Sequence, residues 1–293
     1  MTAVAAVTHS TTIVPILAGG GTRLPAHVGI LQGLKELGIG FQHIVGVSGG
    51  SIVSSLYATG KSVDELKELT LHVDFQQFRG QSIISLIRSG GLSNGHVFEH
   101  WLDDQLGGVT FKDLALDLHI VATDVASSQP VIFNRTNTPD LKVAKAVRFS
   151  ISIPLIFSFQ HFDDHVLVDG SILSEDALHR DWSGDNTPVI CFRMRSSQKH
   201  TQISSNSLMP IKDYLSMLIR TFMTTISREY INEAFWHSTI IVDTKHFSPV
   251  EFNLSETDKL TLYDMGYQTT LQYVPQKVWE DEEQHSVANQ TTG

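Results

Sequence analysis

Residues 41–59 read FQHIVGVSGGSIVSSLYAT. The first part, 41–47, is a β-branched and apolar run of the kind that forms a buried strand. It runs straight into Gly46-Val47-Ser48-Gly49-Gly50, and 51–59 can continue as a helix. A serine in G-x-S-x-G between a strand and a helix is the pattern of an exposed nucleophile. The sharp turn pushes the hydroxyl out of the sheet edge, and small neighbours let the backbone fold that tightly. The helix that follows points its N-terminus at the serine and favours negative charge there. As a bare pattern the motif is weak, because a Gly/Ser-rich connecting turn has the same composition. The strand before it and the helix after it single it out.

Upstream, 12–18 (TIVPILA) form another short apolar run, which stops at Gly19-Gly20-Gly21-Thr22-Arg23. Pro25 suits the first turn of a helix. Val28, Leu31, Leu34 and Leu37 then recur at helical spacing before Gly38 and Gly40. Strand, helix, strand and helix in succession predict a parallel sheet with a right-handed crossover. The glycine triplet has two readings. A dinucleotide-binding turn needs glycine at the sixth position, where Leu24 stands, and there is no phosphate-loop lysine pattern. An oxyanion hole needs only preorganised N–H groups beside the nucleophile. Two parallel neighbouring strands deliver both turns to one edge of the sheet, which favours the second reading.

Downstream, strands are predicted at 118–125, 130–134, 165–168, 188–193 and 239–243. Residues 64–107 read as mostly helical, with amphipathic stretches around 83–87 and 97–106. A long helix is expected over about 211–236 and another near 256–272. There is no internal repeat or long linker. The chain reads as a 1–12 N-terminal extension, one α/β domain over 13–275, and a polar acidic tail, 276–293, expected to be disordered.

A serine nucleophile needs a base. Histidine is the usual one, and His179, His200, His237 and His246 can each be tried, although none follows a clear strand. Asp169, in Val166-Leu167-Val168-Asp169-Gly170-Ser171, ends an apolar strand beside a glycine, so its carboxylate belongs at a sheet edge. Asp-Gly is also a common turn dipeptide, and the residues alone leave the choice open.

Composition narrows the classes. The 21 basic and 31 acidic residues give a formal charge of −10, without the basic footprint of a nucleic-acid binder. The single cysteine, Cys191, lies in an apolar run and reads as a small buried hydrophobe. A lone cysteine implies no oxidising compartment. With no secretory leader pattern and no apolar run long enough to span a bilayer, a cytoplasmic protein that touches membranes peripherally is expected.

Together these segments resemble the patatin-like phospholipase family. Its G-G-G-x-[RK]-G loop, G-x-S-x-G turn and D-G-[GA] turn correspond to Gly19–Leu24, Gly46–Gly50 and Asp169-Gly170-Ser171. The segments GGLSNGHVFEHWLDDQLGGVTFKDL, VATDV with VIFN, and SISIPLIFSF are also similar. The likeness is strongest from Ile13 to Ser174. It implies a three-layer α/β sandwich with a mostly parallel central sheet and a Ser48–Asp169 dyad without histidine. It also implies an oxyanion hole drawn from Gly19, Gly20, Gly21 and Gly49. Arg23 keeps the family charge, either to orient the loop or to meet a lipid head group. Leu24 and Ser171 depart from the pattern, and Leu24 puts the outer loop path in question.

The implied reaction is hydrolysis of a lipid acyl ester through an acyl-serine, of phospholipase A or lysophospholipase type, without metal or cofactor. His72 with Asp74, and Asp163, Asp164 and His165, are read as solvated loop residues. The resemblance suggests that the helical segment near 75–106 covers the acyl groove, with Phe75, Phe78, Ile83, Ile84, Leu86 and Ile87 as candidates; ordinary core packing explains the same residues equally well. The alternatives are a Ser-His-Asp esterase or thioesterase, and a non-catalytic lipid-binding effector module.

Overall fold

The apolar runs that end at glycines become the strands that carry the site. In the computed structural model, which describes residues 12–78, 91–172, 178–197, 221 and 233–278, β1 (Val14–Ala18) and β2 (His43–Val47) pair in parallel. Helix α1 (Leu24–Glu36) crosses between them, and α2 (Gly49–Ala58) leaves directly from β2. Helix α3 (Val63–His72) follows behind a Ser62/Glu65 capping box. Next come β3 (Gly91–Ser93), α4 (His96–Leu106), β4 (Asp117–Asp124), β5 (Gln129–Phe133) and α5 (Val143–Ser150). The short strands β6 (Leu155–Phe157), β7 (Gln160–Phe162) and β8 (His165–Asp169) precede β9 (Val189–Arg195), β10 (Thr239–Asp243) and α6 (Glu256–Val278).

Among the described residues the main sheet has eight strands, ordered β10-β9-β1-β2-β4-β8-β7, with β5 paired to β4 off that line. From β10 to β4 the pairing is parallel; β5, β8 and β7 join antiparallel. This is a mixed α/β fold with a central sheet flanked by helices. On β1, Ile13 and Leu17 face the large core formed with the helices. Val14, Ile16 and Ala18 face the other side, with Val45, Val47, Val121 and Cys191, under Leu178 and Trp182. That alternation is the period of a strand buried on both faces.

One register detail creates the site. Strand β2 runs parallel along β4 and ends with Val47 opposite Val121. Strand β8 runs antiparallel along β4 and ends with Asp169 opposite Ala122. Strand β5 occupies the other edge of those β4 residues. The two strands therefore arrive head to head on one edge of β4, and the residues at their ends meet.

Some boundaries differ from the sequence reading. The apolar stripe Leu262, Gly266, Thr270, Val274 and Val278 is buried at a four-residue spacing, so α6 continues to Val278 and takes in the start of the expected tail. Thr12, the last residue of the expected N-terminal extension, bridges to Gly40 and joins the fold. Within the long helix expected over 211–236, 233–236 lie in a 3-10 helix (Glu233–Ser238), because the chain must be extended again by Thr239. The rest of that helix apart from 221, together with Ile83, Ile84, Leu86, Ile87, His200, residues 1–11 and the tail beyond 278, lies outside the described residues.

Candidate active site

Ser48 stands at the turn between β2 and α2 with φ 53° and ψ −129°, a region that costs a non-glycine residue about 1–3 kcal/mol. The flanking glycines make the turn sterically possible. A Cβ on Gly46 would sit 2.5 Å from Ser51 Cα, and one on Gly50 would sit 1.9 Å from the Leu17 carbonyl oxygen. The Ser48 carbonyl accepts from the Ser51 N–H (2.9 Å) and hydroxyl (2.6 Å). Its N–H donates to Ser150 Oγ (2.9 Å). The serine was expected at an exposed sheet edge. It is instead 1% exposed, and a cleft reaches it.

Ser48 Oγ donates to Asp169 Oδ2 at 2.6 Å. Asp169 Oδ1 accepts the Ser171 N–H (2.8 Å), the Asp169 carbonyl accepts from Thr123 Oγ1 (3.0 Å), and its N–H donates to the Ser152 carbonyl (3.1 Å). Gly170 is required where it is, since a Cβ there would lie 2.2 Å from the Val121 carbonyl oxygen. Burial pushes the Asp169 carboxyl up to about 6, against the opposing pull of the Ser48 and Ser171 hydrogen bonds. It stays largely ionised at neutral pH and is a stronger base than an ordinary carboxylate.

The glycine triplet runs at positive φ throughout, 70°, 102° and 56°. Gly19 spends its N–H on the Val47 carbonyl (3.0 Å), so it offers no donor to a ligand and drops from the expected oxyanion set. Its carbonyl receives the Gly50 N–H (2.9 Å) and locks this loop to the serine turn. Gly21 and Gly49 are in near contact, since a Cβ on Gly49 would lie 2.8 Å from Gly21 N. Arg23 is fully buried. Its Nε donates to the Gly20 carbonyl (2.9 Å) and its Nη1 to Thr244 Oγ1 (2.6 Å). Of its two expected roles, burial leaves loop support; a head group cannot reach it.

The sequence reading missed His27. It is fully buried, its Nε2 lies 2.9 Å from the Gly19 carbonyl oxygen, and burial pulls it down to about 4. It is therefore a neutral imidazole donating through Nε2 to the loop. Leu24, which replaces the family glycine, opens α1 and lines the cleft.

That cleft is almost wholly apolar. Ser48, Gly49, Gly21 and Thr22 lie at one side; Leu24, Ile52, Phe75, Phe78, Phe98, Trp101, Ile151, Ile153, Phe157, Val250 and Phe252 supply most of the rest. Phe78, Phe98 and Trp101 pack ring on ring with centroids 5.1–5.9 Å apart. Phe75 and Phe78, expected to cover a groove, lie in its wall.

The other candidates fall elsewhere. His179 stacks on Phe235 and pairs with Ser238, and His246 packs on Phe247. His237 is exposed. Among the described residues, no histidine enters the hydrogen-bond set of Ser48 and Asp169. Asp163 and Asp164 turn the β7–β8 hairpin, His165 pairs with Asp124, and His72 pairs with Glu68. No group of three or more His, Cys, Asp or Glu gathers as a metal site among the described residues. Nor is any described helix long and apolar enough to cross a membrane.

Over residues 16–180 the chain matches the patatin-like phospholipase family. The protein R571 of Acanthamoeba polyphaga mimivirus is 26% identical over 279 residues, which is 88% of this chain and 92% of that protein. An NTE family protein of Mycobacterium tuberculosis is 29% identical over 161 residues, 54% of this chain and 42% of its own length. Among solved structures, VipD from Legionella pneumophila aligns with a TM-score of 0.57 at 14% identity, over 89% of this chain and 66% of VipD. At that identity the likeness is one of fold. The chain thus spans less than half of the mycobacterial relative and about two thirds of VipD.

Proposed function

This chain belongs to the patatin-like phospholipase family, and we propose that it is a lipid acyl hydrolase working through a Ser48–Asp169 dyad and an acyl-serine intermediate. The observation that carries the reading is the 2.6 Å hydrogen bond from Ser48 Oγ to a buried Asp169, set beside an apolar cleft. The acyl chain of the substrate lies in the cleft, with its ester carbonyl over Ser48. Ser48 Oγ attacks the carbonyl carbon as its proton passes to Asp169. The N–H groups of Gly20, Gly21 and Gly49 face the oxyanion. The C–O bond to the alcohol then breaks, and Asp169 returns the proton to the leaving oxygen. In the second half Asp169 takes a proton from water, the water oxygen attacks the acyl-serine, the fatty acid leaves, and Ser48 regains its proton.

A carboxyl at about 6 suits both halves, being ionised enough to accept a proton and acidic enough to return it. Among the described residues, the mostly apolar lining of the cleft supports an acyl chain as the recognised part of the substrate. Phospholipids and lysophospholipids are the proposed substrates, met at a membrane or micelle surface. The test is a fluorophosphonate probe together with a mixed lipid extract. The wild type should label at Ser48 and release fatty acids, and Ser48→Ala should do neither, with activity down at least about 10³-fold. Undiminished fatty-acid release by Ser48→Ala would overturn the assignment.

A further inference from the structure

The hydrogen bond that holds the Ser48 backbone comes from a side chain outside the three turn motifs, at the start of the SISIPLIFSF segment. Ser150, the last residue of α5, is fully buried. Its Oγ accepts the Ser48 N–H at 2.9 Å and donates its own proton to the Val121 carbonyl at 2.6 Å. With its one proton committed to Val121, the hydroxyl meets Ser48 as an acceptor. Ser48 sits at a φ where an L residue is strained, so the surrounding structure has to hold it there.

The location of Ser150 matters as much as its bond. Val121 is the β4 residue opposite Val47, and the next β4 residue, Ala122, is opposite Asp169. Ser150 is therefore tied to β4 at the joint where the two strand ends meet. Two residues on, the Ser152 carbonyl takes the Asp169 N–H, and the Ser152 hydroxyl is held by Arg148 Nη1 at 2.7 Å. One five-residue segment, 148–152, thus grips the backbone of both partners.

We propose that Ser150 is a positioning residue: it fixes the backbone of Ser48 so that the nucleophile's hydroxyl stays on Asp169. The inference rests on the dyad reading above. Removing the acceptor leaves the Ser48 N–H buried and unpaired and lets the turn relax by a fraction of an ångström. Displacements of about 1 Å at a reacting atom cost about 100-fold.

Ser150→Ala should lower kcat about 10- to 100-fold with KM unchanged. The rate at which a fluorophosphonate acylates Ser48 should fall by the same factor. The pH–rate midpoint should stay in place, because the surroundings of the Asp169 carboxylate are untouched. Ser150→Thr keeps the hydroxyl and should restore most of the rate. Ser150→Cys, a weaker acceptor, should fall between Thr and Ala, and it carries the test should the alanine variant fail to fold. Ser55→Ala removes another buried hydroxyl, one bonded to the Ile52 carbonyl in α2, and should lower Tm without the kcat loss. A Ser150→Ala enzyme acylated at the wild-type rate, or a Ser55→Ala enzyme slowed as much, would overturn the positioning role alone. A wild-type enzyme that fails to react at Ser48 would remove the dyad reading, and this inference with it.

Discussion

Ser48 and Asp169 lie 121 positions apart, and each is 1% exposed. At that burial a carboxylate is costly, and its favoured proton partner is the hydroxyl in front of it. Asp169→Asn keeps the size of the side chain and removes the base. Turnover should therefore fall about 10³- to 10⁴-fold, close to the loss in Ser48→Ala, because in the proposed mechanism the two act as one unit. His179→Gln and His237→Gln should be near wild type, since neither enters the dyad's hydrogen bonds. The pH profile follows from the same carboxyl. In the proposed mechanism the working form is ionised, and the group is raised to about 6, so kcat/KM should fall tenfold per pH unit below about 6 and level off above it. A profile still climbing well above pH 7 would indicate another base. Both residues of the proposed dyad stand out in the sequence because each closes an apolar run beside a glycine that steric crowding demands. Choosing Asp169 over histidine needed the family resemblance. His27 left no such trace, and Ser150, which opens the family-like segment SISIPLIFSF, carried no sign of its role. Each acts through a hydrogen bond to a backbone group, and the Ser150–Ser48 bond spans 102 positions with no local pattern.

At the scale of elements, α1 and α6 approach at glycines. A Cβ on Gly29 would lie 2.0 Å from the Tyr263 carbonyl oxygen, and one on Gly266 would lie 2.0 Å from the Ala26 carbonyl oxygen. The pair has to stay close because α1 also carries Arg23, His27 and the glycine loop at its N-terminal end. Gly29→Ala forces the helices apart and should cost about 1–3 kcal/mol in urea unfolding. It should also slow the enzyme, by shifting the loop. Gly40→Ala, with no neighbour within 4 Å of the added methyl, should be neutral or slightly stabilising. Equal effects from the two would mean that the crossing has slack. The long elements were readable: the apolar periodicities of α1, α2, β4 and β10 placed them within a few residues. The three-residue strands β3 and β6, which frame the cleft through Phe157, were not. They are too short to show alternation, and their pairing is decided by tertiary contacts such as Arg148 bridging the carbonyls of Asn94 and Ser158.

For the molecule as a whole, the buried titratable groups set how stability depends on pH. His27 and His119 are both pulled down to about 4, chiefly by burial, against about 6.5 in an unfolded chain. As pH falls below 6.5 the unfolded state takes up these protons first. Stability present at neutral pH is therefore lost between 6.5 and 4. A depression of that size corresponds to at most about 3 kcal/mol per histidine. Asp169 works in the opposite direction. Its carboxyl is raised, so its burial costs stability above pH 6, and that cost is relieved as pH falls from 6 towards 3.8. With two histidines against one aspartate, the balance is a net loss of stability on acidification.

The geometry around His119 explains why it cannot simply accept a proton in place. Asn134 Oδ1 is held by the N–H groups of Thr136 and Asn137, which turns its amide NH₂ towards His119 Nδ1 at 3.2 Å. That nitrogen must therefore be an acceptor, and His119 donates through Nε2 to His43 Nδ1 at 3.3 Å. A second proton would set N–H against N–H₂. Melting temperature should consequently fall steadily from pH 7 to pH 5, and His119→Gln should flatten that slope while lowering stability at neutral pH. A melting temperature that holds constant across this range would mean that these imidazoles are solvated, and that the sheet end carrying His43 and His119 opens in solution.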